Sequence, residues 1–252
     1  MPIRRQFEVR AIEAPDVKRS RVEPQYVRVL TRLLAAHALA EKLTAQGYQR
    51  ALSSIDDPAL RSAVEKNFEE ESRHAALIYR ILGELGVSES AAERMTITAR
   101  RSPSFEAPRY FAERAEGELD LVMASISLDM TGLIMIGVNY KESSYAPHCR
   151  AAEIILEEEA EHDLFGATEL GGAVKRFGAE AVDRSLREWL PRAVNFFGPP
   201  GSGFSYDCIR FGLKSKDNQE LADLYITLLE RRLSKVGLQM PALTPGYPHT
   251  IA

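Results

Sequence analysis

The sequence has little cysteine and no strong excess of charge. Only two cysteines, Cys149 and Cys208, occur among the 252 residues. They are too far apart to form a Cys-x-x-Cys motif, which argues against an iron–sulfur cluster and against a disulfide-rich scaffold. The net charge of −4 provides no long-range attraction to nucleic acid or to an anionic membrane surface. We therefore expect neither nucleic acid nor a membrane among the partners.

The sequence also lacks the apolar stretch that follows the basic residues of a secretory leader, so we expect a cytoplasmic protein. One stretch, residues 119–138, is apolar enough to test as a membrane span. It contains Asp120 and Asp129, and a charged side chain near the centre of a span is energetically expensive. We interpret the stretch as a buried helix of a soluble helical bundle.

The spacing of apolar residues predicts an all-α protein that forms a single domain over 1–252. Apolar residues recur every three or four positions, which is typical of helices with one buried face. Four long helices are predicted within 23–170, with short links inside each pair and one polar connection, 87–106, between the pairs. Asp57-Pro58 is expected to start the second helix, with Asp57 as the cap and Pro58 in the first turn, and the third helix is expected over about 108–140. This is the connectivity of a ferritin-like four-helix bundle. The remaining predicted segments are an extended N-terminal segment at 1–22, additional C-terminal helices at 171–239, and an extended tail at 240–252.

A Glu-x-x-His motif occurs twice, and the two copies lie 88 residues apart. The first copy is Glu71 to His74, and the second is Glu159 to His162. A carboxylate stands 30 residues before each motif, and these two carboxylates are also 88 residues apart. The repeated set therefore contains four carboxylates and two histidines: Glu41, Glu71, His74, Asp129, Glu159 and His162.

These residue types at this spacing are typical of a dinuclear metal site. Residues three apart lie on one helix face, so a Glu and a His can both point into the axis of a bundle. Two such helices, with one carboxylate from each of the other two, give a mixed oxygen and nitrogen ligand set. Such a set suits two iron ions, and manganese is possible at one or both positions. Metal ions also explain why four carboxylates would be tolerated in one apolar core.

The same residues allow other interpretations. Glu69–Glu71 and Glu157–Glu159 are charge runs, and most such runs are solvated helix faces. A single Glu-x-x-His motif would be weak evidence for a metal site, but two motifs with matching upstream carboxylates favour one. In the third helix Asp129 is preferred over Glu118 and Asp120, because only Asp129 fits the 88-residue repeat and lies among apolar residues.

Three further features give expectations that the structure can test. His37 lies one turn before Glu41 and is interpreted as a packed histidine or as a neighbour that supports the ligands. His148, next to Pro147, is expected to be exposed at a helix start. The methionines of the third helix can line an apolar pocket, although core packing explains them equally well: Met123, Met130 and Met135.

Three C-terminal segments narrow the interpretation, in addition to the two motifs. They are EWLPRAVNFFG at 188–198, IRFGLK at 209–214 and VGLQMP at 236–241. With the motifs, they resemble the phenylacetic acid catabolic family of the ferritin-like di-iron superfamily, whose catalytic member is the oxygenase subunit of phenylacetyl-CoA epoxidase. The resemblance implies a di-iron centre, with the six residues of the repeated set as ligands, that activates O2 as co-substrate.

The leading hypothesis is therefore a di-iron monooxygenase that hydroxylates or epoxidises a small organic substrate, with an aromatic compound or a CoA thioester as the candidates. The chain has no Gly-x-Gly-x-x-Gly fingerprint for a nicotinamide or flavin cofactor, so electrons are expected from a separate reductase. The alternatives are an N-oxygenase, a ferroxidase, a manganese catalase, or a non-catalytic partner subunit of an oxygenase. A homodimer, or a hetero-oligomer with a homologous subunit, is expected.

Overall fold

The computed structural model describes residues 3–114 and 116–252 and shows an all-α protein. In this described part the α-helices are α1 Ala14–Lys18, α2 Pro24–Ala51, α3 Pro58–Glu84, α4 Glu89–Thr96, α5 Glu106–Arg114, α6 Gly117–Ala124, α7 Met130–Val138, α8 Ala146–Phe177, α9 Ala179–Phe196, α10 Gly203–Arg210 and α11 Asn218–Lys235. A π-helical segment, Ser125–Asp129, joins α6 to α7. Short 3-10 turns cover Leu52–Ser54, Ala99–Arg101, Pro103–Phe105 and Tyr140–Glu142. No named strand occurs within the described ranges, where the only β-pairing consists of isolated bridges.

The start of α3 follows directly from its sequence. Asp57 accepts a hydrogen bond from the backbone N–H of Leu60 at 2.8 Å, and Pro58 occupies the first turn, where its missing N–H costs nothing. These were the signals that predicted this helix start, and the prediction is confirmed. At its far end α8 stops at Gly178, whose φ of +83° suits glycine.

The bundle is formed by α2, α3, the rod made of α6, the π segment and α7, and α8. Short links join α2 to α3 and α7 to α8, and the long connection between α3 and α6 carries α4 and α5. The predicted ferritin-like, all-α fold with additional C-terminal helices is confirmed. The additional helices pack against the rod: Trp189 of α9 is buried, and its Nε1 donates to Asp120 Oδ1 at 3.2 Å.

The predicted third helix, 108–140, is wrong in its continuity. The chain forms α5 and starts a separate helix, α6, at Gly117, whose φ of +77° is in the left-handed region that favours glycine. The connection 87–106 was predicted only as a polar link, and it contains α4. The physical reason is Ser88, which caps that helix by accepting from Ala91 N, while Ala92 and Thr96 are buried.

The N-terminal segment is also less extended than predicted. Residues 1 and 2 of the predicted segment lie outside the described residues. Within the remainder, α1 is a short helix started by a capping box between Glu13 and Asp16. The tail after residue 240 contains no helix in the described structure, and Leu243 pairs with Ile251 in an isolated bridge. The division into a single domain remains a prediction.

One helical stretch, Gly117–Glu142, is long and apolar enough to cross a membrane. In the structure 78% of its apolar window is buried inside the protein. This burial agrees with the interpretation of the stretch as a core helix. The cytoplasmic location remains a prediction.

Candidate metal centre

All six residues of the repeated set lie together, and all are buried in the middle of the bundle. The set divides into two groups whose ligand atoms lie within 4.8 Å of one another. One group contains Glu41, Glu71, His74 and Glu159, and the other contains Glu71, Asp129 and His162. Every helix of the bundle therefore contributes, as the sequence predicted for a dinuclear site. The ligand roles of the six residues remain a prediction.

Glu71 belongs to both groups and lies between the two histidines of the cluster. Its Oε2 lies 3.7 Å from His74 Nδ1, and its Oε1 lies 3.3 Å from His162 Nδ1. The two oxygens of one carboxylate therefore face the two different histidines. This arrangement would suit two metal ions, because the two ligand groups have one carboxylate in common.

The two histidines present the same nitrogen to the centre. His74 Nε2 donates to Glu158 Oε2 at 2.7 Å, and His162 Nε2 donates to Glu70 Oε2 at 2.9 Å. Each imidazole is thus held by a carboxylate from the opposite helix. Because the Nε2 atoms carry the donated protons, Nδ1 of each ring is left as the inward-facing atom. A hydrogen bond of this kind fixes the ring orientation and makes the ligand nitrogen more basic.

Sequence reasoning missed Glu70 and Glu158, which it counted only as members of charge runs. The signal was present, because these two glutamates are also 88 residues apart and each directly precedes the glutamate of a motif. Arg73 lies 3.0 Å from Glu158 and 3.6 Å from Glu70, so one guanidinium faces both carboxylates. The repeat therefore extends to the residues that support the ligands.

Asp129 is held by two hydroxyl groups that both bind the same oxygen. Tyr48 Oη donates to Asp129 Oδ2 at 2.7 Å, and Ser125 Oγ donates to it at 2.6 Å. Oδ1 remains free for another partner. Asp129 ends the π-helical segment, and π-bulges within α-helices are frequent at functional sites.

The competing acids of the third helix lie elsewhere. Glu118 pairs with Arg176 at 2.6 Å on the surface. Asp120 accepts from Trp189 Nε1 and from the backbone N–H of Glu116. The structure therefore brings Asp129, and neither Glu118 nor Asp120, to the cluster.

Buried ligand atoms without partners show that the residues fit a metal pair. Five such atoms have no hydrogen-bond partner in the described structure: Glu71 Oε2, His74 Nδ1, Asp129 Oδ1, Glu159 Oε2 and His162 Nδ1. A buried polar atom left unpaired costs on the order of 1–3 kcal/mol. Bound metal ions would satisfy all five atoms at once. A Cβ at Gly132 would lie 3.1 Å from Glu159 Oε2, so glycine leaves room beside this carboxylate.

The electrostatics of the cluster show how the metal-free protein balances its charge. Burial raises the pKa of Asp129 to about 7, and burial together with the Glu71 charge holds the pKa of Glu159 well above its usual range. Burial by itself lowers the pKa of both histidines, but the neighbouring carboxylates outweigh it. Glu41 and Glu71 raise the pKa of His74 to about 12, and Glu71 and Glu159 raise the pKa of His162 to about 10. Protons therefore occupy the metal-free centre.

A pair of histidines supports Glu41 from the side. His37 Nε2 donates to Glu41 Oε1 at 2.7 Å, and His37 Nδ1 lies 3.1 Å from His148 Nε2. The expectation that His148 is exposed is wrong: it is fully buried, because Pro147 places it in the first turn of α8 against Tyr140. Burial holds the pKa of His148 well below its usual range. His37 is thus the supporting neighbour of a ligand candidate, one of its two interpretations.

A cavity of about 890 Å³ opens beside the centre. Its acidic lining residues are four members of the cluster: Glu41, Glu71, Asp129 and Glu159. Most of the other lining is apolar, from Leu33 and Phe105 to the Phe196–Phe197 pair. Met135 lines the cavity, as the sequence suggested, whereas Met123 and Met130 are packed in the core.

Comparisons with known proteins agree with the fold. No family model matches the chain, and no curated protein matches it. The family resemblance seen in the sequence is therefore not shown. Among solved structures, the chain is similar to "Protein 19 with aldehyde deformylating oxidase activity" from Synechococcus, with a TM-score of 0.65 and 18% identity. The match covers 86% of this chain and 93% of that one. At this identity the similarity establishes the fold.

Proposed function

We propose that this protein is a non-haem di-iron oxygenase that activates O2 to hydroxylate or epoxidise a small organic substrate. The observation that carries the proposal is the buried carboxylate and histidine cluster beside an apolar cavity. Glu71 faces both histidines, and five ligand atoms lack partners. A protein of the same fold has aldehyde deformylating oxidase activity, so oxidative chemistry is compatible with this architecture.

Bound iron would supply chemistry that no side chain can: activation of O2, with one oxygen atom transferred to the substrate and the other released as water, for two electrons and two protons. The chain's own residues have distinct tasks. Glu70 and Glu158 keep Nδ1 of the histidines facing inward. Tyr48 and Ser125 keep Asp129 Oδ1 free, and the apolar cavity wall excludes water from the reacting substrate.

The cavity also helps to distinguish the proposed oxygenase from the alternative functions. A ferroxidase or a manganese catalase acts on an ion or on a peroxide, and neither needs an apolar cavity of about 890 Å³. A non-catalytic partner subunit would not need a complete set of buried ligand candidates. An N-oxygenase fits the same site, since the cavity would accept an amine as readily as a hydrocarbon. The electrons would come from a separate reductase. The surface on which it docks can lie on either chain of a homodimer, or on a homologous subunit of a hetero-oligomer.

Metal content after anaerobic reconstitution with Fe(II) tests the site. We expect about two irons per chain, because the cluster has two overlapping ligand groups. Glu71→Ala should lose most of the iron, since it removes the shared carboxylate. Glu69→Ala is the matched control, because Glu69 is two residues away on the same helix and less buried than the ligand candidates. A folded wild-type protein that takes up no iron, or a Glu71→Ala variant that keeps both ions, would contradict the proposal.

Oxygen consumption by the iron-loaded protein tests the reaction class. We expect O2 uptake only with an organic substrate and an electron donor together, and incorporation of one atom from labelled O2 into the product. O2 uptake with Fe(II) alone would identify a ferroxidase. Release of O2 from peroxide by the manganese form would identify a catalase.

A further inference from the structure

The cavity beside the metal centre is electrostatically divided. Its acidic lining residues are the four carboxylates of the cluster, and all of them lie at the metal end. Its cationic lining residues are Arg28, Arg32 and Lys214. None of these three cations has a carboxylate within 4 Å among the residues that the structure describes. A cavity with unpaired cations attracts an anionic ligand.

Lys214 is the unusual member of this group. It is only 5% exposed, and its ammonium group donates to the neutral Asn218 Oδ1 at 2.6 Å. An ammonium group has three protons to donate, so two remain available. A buried lysine is almost always paired, because a buried charge without a counter-ion is costly. Burial accordingly lowers the pKa of Lys214.

The polar groups around Lys214 already have hydrogen-bond partners of their own. Asn218 Nδ2 donates to the Pro199 carbonyl at 2.9 Å, and Ser205 Oγ lies 3.2 Å from Asn218 Oδ1. The nearest acid in the sequence, Asp217, accepts from Gln219 N and caps α11. Asn218 and Ser205 both line the same cavity. The lysine is therefore held in a polar recess of the cavity wall, and no carboxylate among the described residues lies within 4 Å of its ammonium group, so that Asp217 favours the charge only from a greater distance.

The two arginines lie at the entrance. Both are exposed, so the cavity reaches the surface where they line it. The guanidinium of Arg32 stacks on the ring of Phe204 with 4.2 Å to the ring centroid. Exposed arginines can attract an anion, but the buried ammonium is the group that gains most from a counter-ion, because water screens it least.

We propose that the substrate is an amphipathic carboxylic acid whose carboxylate binds Lys214 and whose apolar body extends along the cavity towards the metal centre. A single buried ammonium fits one compact carboxylate. The phosphates of a CoA thioester would instead be placed at the exposed arginines. This substrate class rests on the proposed oxygenase function for its chemistry, whereas the binding of the acid does not depend on it.

Calorimetric binding to the metal-free full-length protein tests the proposal directly. The probes are decanoate and 4-phenylbutyrate, each against its primary alcohol, and decanoyl-CoA. We expect the acids to bind about tenfold or more tightly than the alcohols, because a charge-assisted pair in a buried site supplies at least this factor. Lys214→Met should remove this preference of the site for acids over alcohols.

Lys216→Met is the matched control, because Lys216 lies two residues away and its side chain is 46% exposed. It should keep the preference for acids. Lys214→Met is expected to fold, since methionine fills similar volume and removes a buried charge, and thermal unfolding checks this. Equal binding of acids and alcohols by the wild type would overturn the proposal. The proposal would also be overturned if Lys214→Met kept the preference for acids, or if decanoyl-CoA, bound through the arginines, were the only probe that binds.

The two proposals fail in different measurements. Acid binding that depends on Lys214, in a protein that takes up iron but consumes no O2 with any acid, would support this inference and contradict the oxygenase. Substrate-dependent O2 uptake without a preference for acids would do the reverse.

Discussion

Two carboxylates that are not ligand candidates, Glu70 and Glu158, control how the centre presents its histidines. We predict that Glu158→Ala lowers metal affinity about 10- to 100-fold, because His74 Nε2 loses its acceptor and the ring is free to turn. Anaerobic titration with Co(II), followed by its visible absorption, measures the change. Glu157→Ala is the control, since Glu157 is exposed on the same helix. Equal affinities of the two variants would show that the ring orientation is fixed by packing alone.

Protons occupy the metal-free centre, so metal binding must displace them. His74 and His162, with pKa values raised to about 12 and about 10, carry their protons at neutral pH. Asp129, with a pKa of about 7, is half protonated there. We predict that metal binding releases protons and strengthens as the pH rises from about 6 to about 8, because fewer protons then compete for the ligand atoms. Calorimetry in buffers of different ionisation enthalpy counts the protons. A binding enthalpy that does not depend on the buffer, with an affinity that does not depend on pH, would refute this.

At the scale of elements, sequence patterns identify helices more readily than their interruptions. The four bundle helices were predicted because apolar spacing and the Asp57–Pro58 signal each have a direct structural consequence. The break before Gly117 was missed, since a single glycine within a helical pattern is compatible with either a helix or a turn. The π segment was also missed, because its hydrogen-bond pattern is set by packing against α8 and leaves no distinct periodicity in five residues.

The contact between α8 and the π segment makes a prediction of its own. A Cβ at Gly166 would lie 2.7 Å from Ser125 Cβ and 3.0 Å from the Ser125 carbonyl carbon. We predict that Gly166→Ala destabilises the protein by about 1–3 kcal/mol, because α8 must move away from the segment that carries Asp129. Metal affinity should fall as well, since Ser125 positions Asp129.

Chemical denaturation and metal titration of the same variant measure both effects. Gly172→Ala is the control on the same helix, because its Cβ meets only Glu169 Oε2 at 3.6 Å. Since alanine favours helices over glycine by about 1 kcal/mol, this control should be slightly stabilised. A Gly166→Ala variant that is also stabilised would show that the two helices tolerate a wider spacing.

At the scale of the whole molecule, the sequence predicted the residues of the centre, whereas of the cavity it suggested only the part of the wall that Met135 forms. The six clustered residues could be predicted because residues three or four apart in one helix share a face. The sequence of each helix therefore indicates which of its residues point into the bundle. The cavity wall instead combines Phe105, Phe197, Lys214 and Tyr247 from distant parts of the chain. How α9–α11 and the tail pack on the bundle is decided by tertiary contacts, so nothing in the local pattern marks Lys214 as buried.

Because every helix of the bundle contributes to the centre, metal binding should stabilise the entire fold. Thermodynamic linkage gives about 2.7 kcal/mol when the free metal concentration is about 100 times the dissociation constant. Glu159→Gln should reduce this gain, since an amide is a poor metal ligand and Glu159 belongs to one of the two ligand groups. The metal-free variant should unfold much like the metal-free wild type, because burial and the Glu71 charge raise the pKa of Glu159 and so favour its protonated form, which an amide resembles. Denaturant unfolding with and without Fe(II), under anaerobic conditions, measures both differences.

Glu157→Gln, on the exposed face of α8, is the control and should retain the full gain in stability on metal binding. If Glu159→Gln were stabilised by metal as much as this control, Glu159 would not be a ligand, and the dinuclear site would have to be completed by other residues.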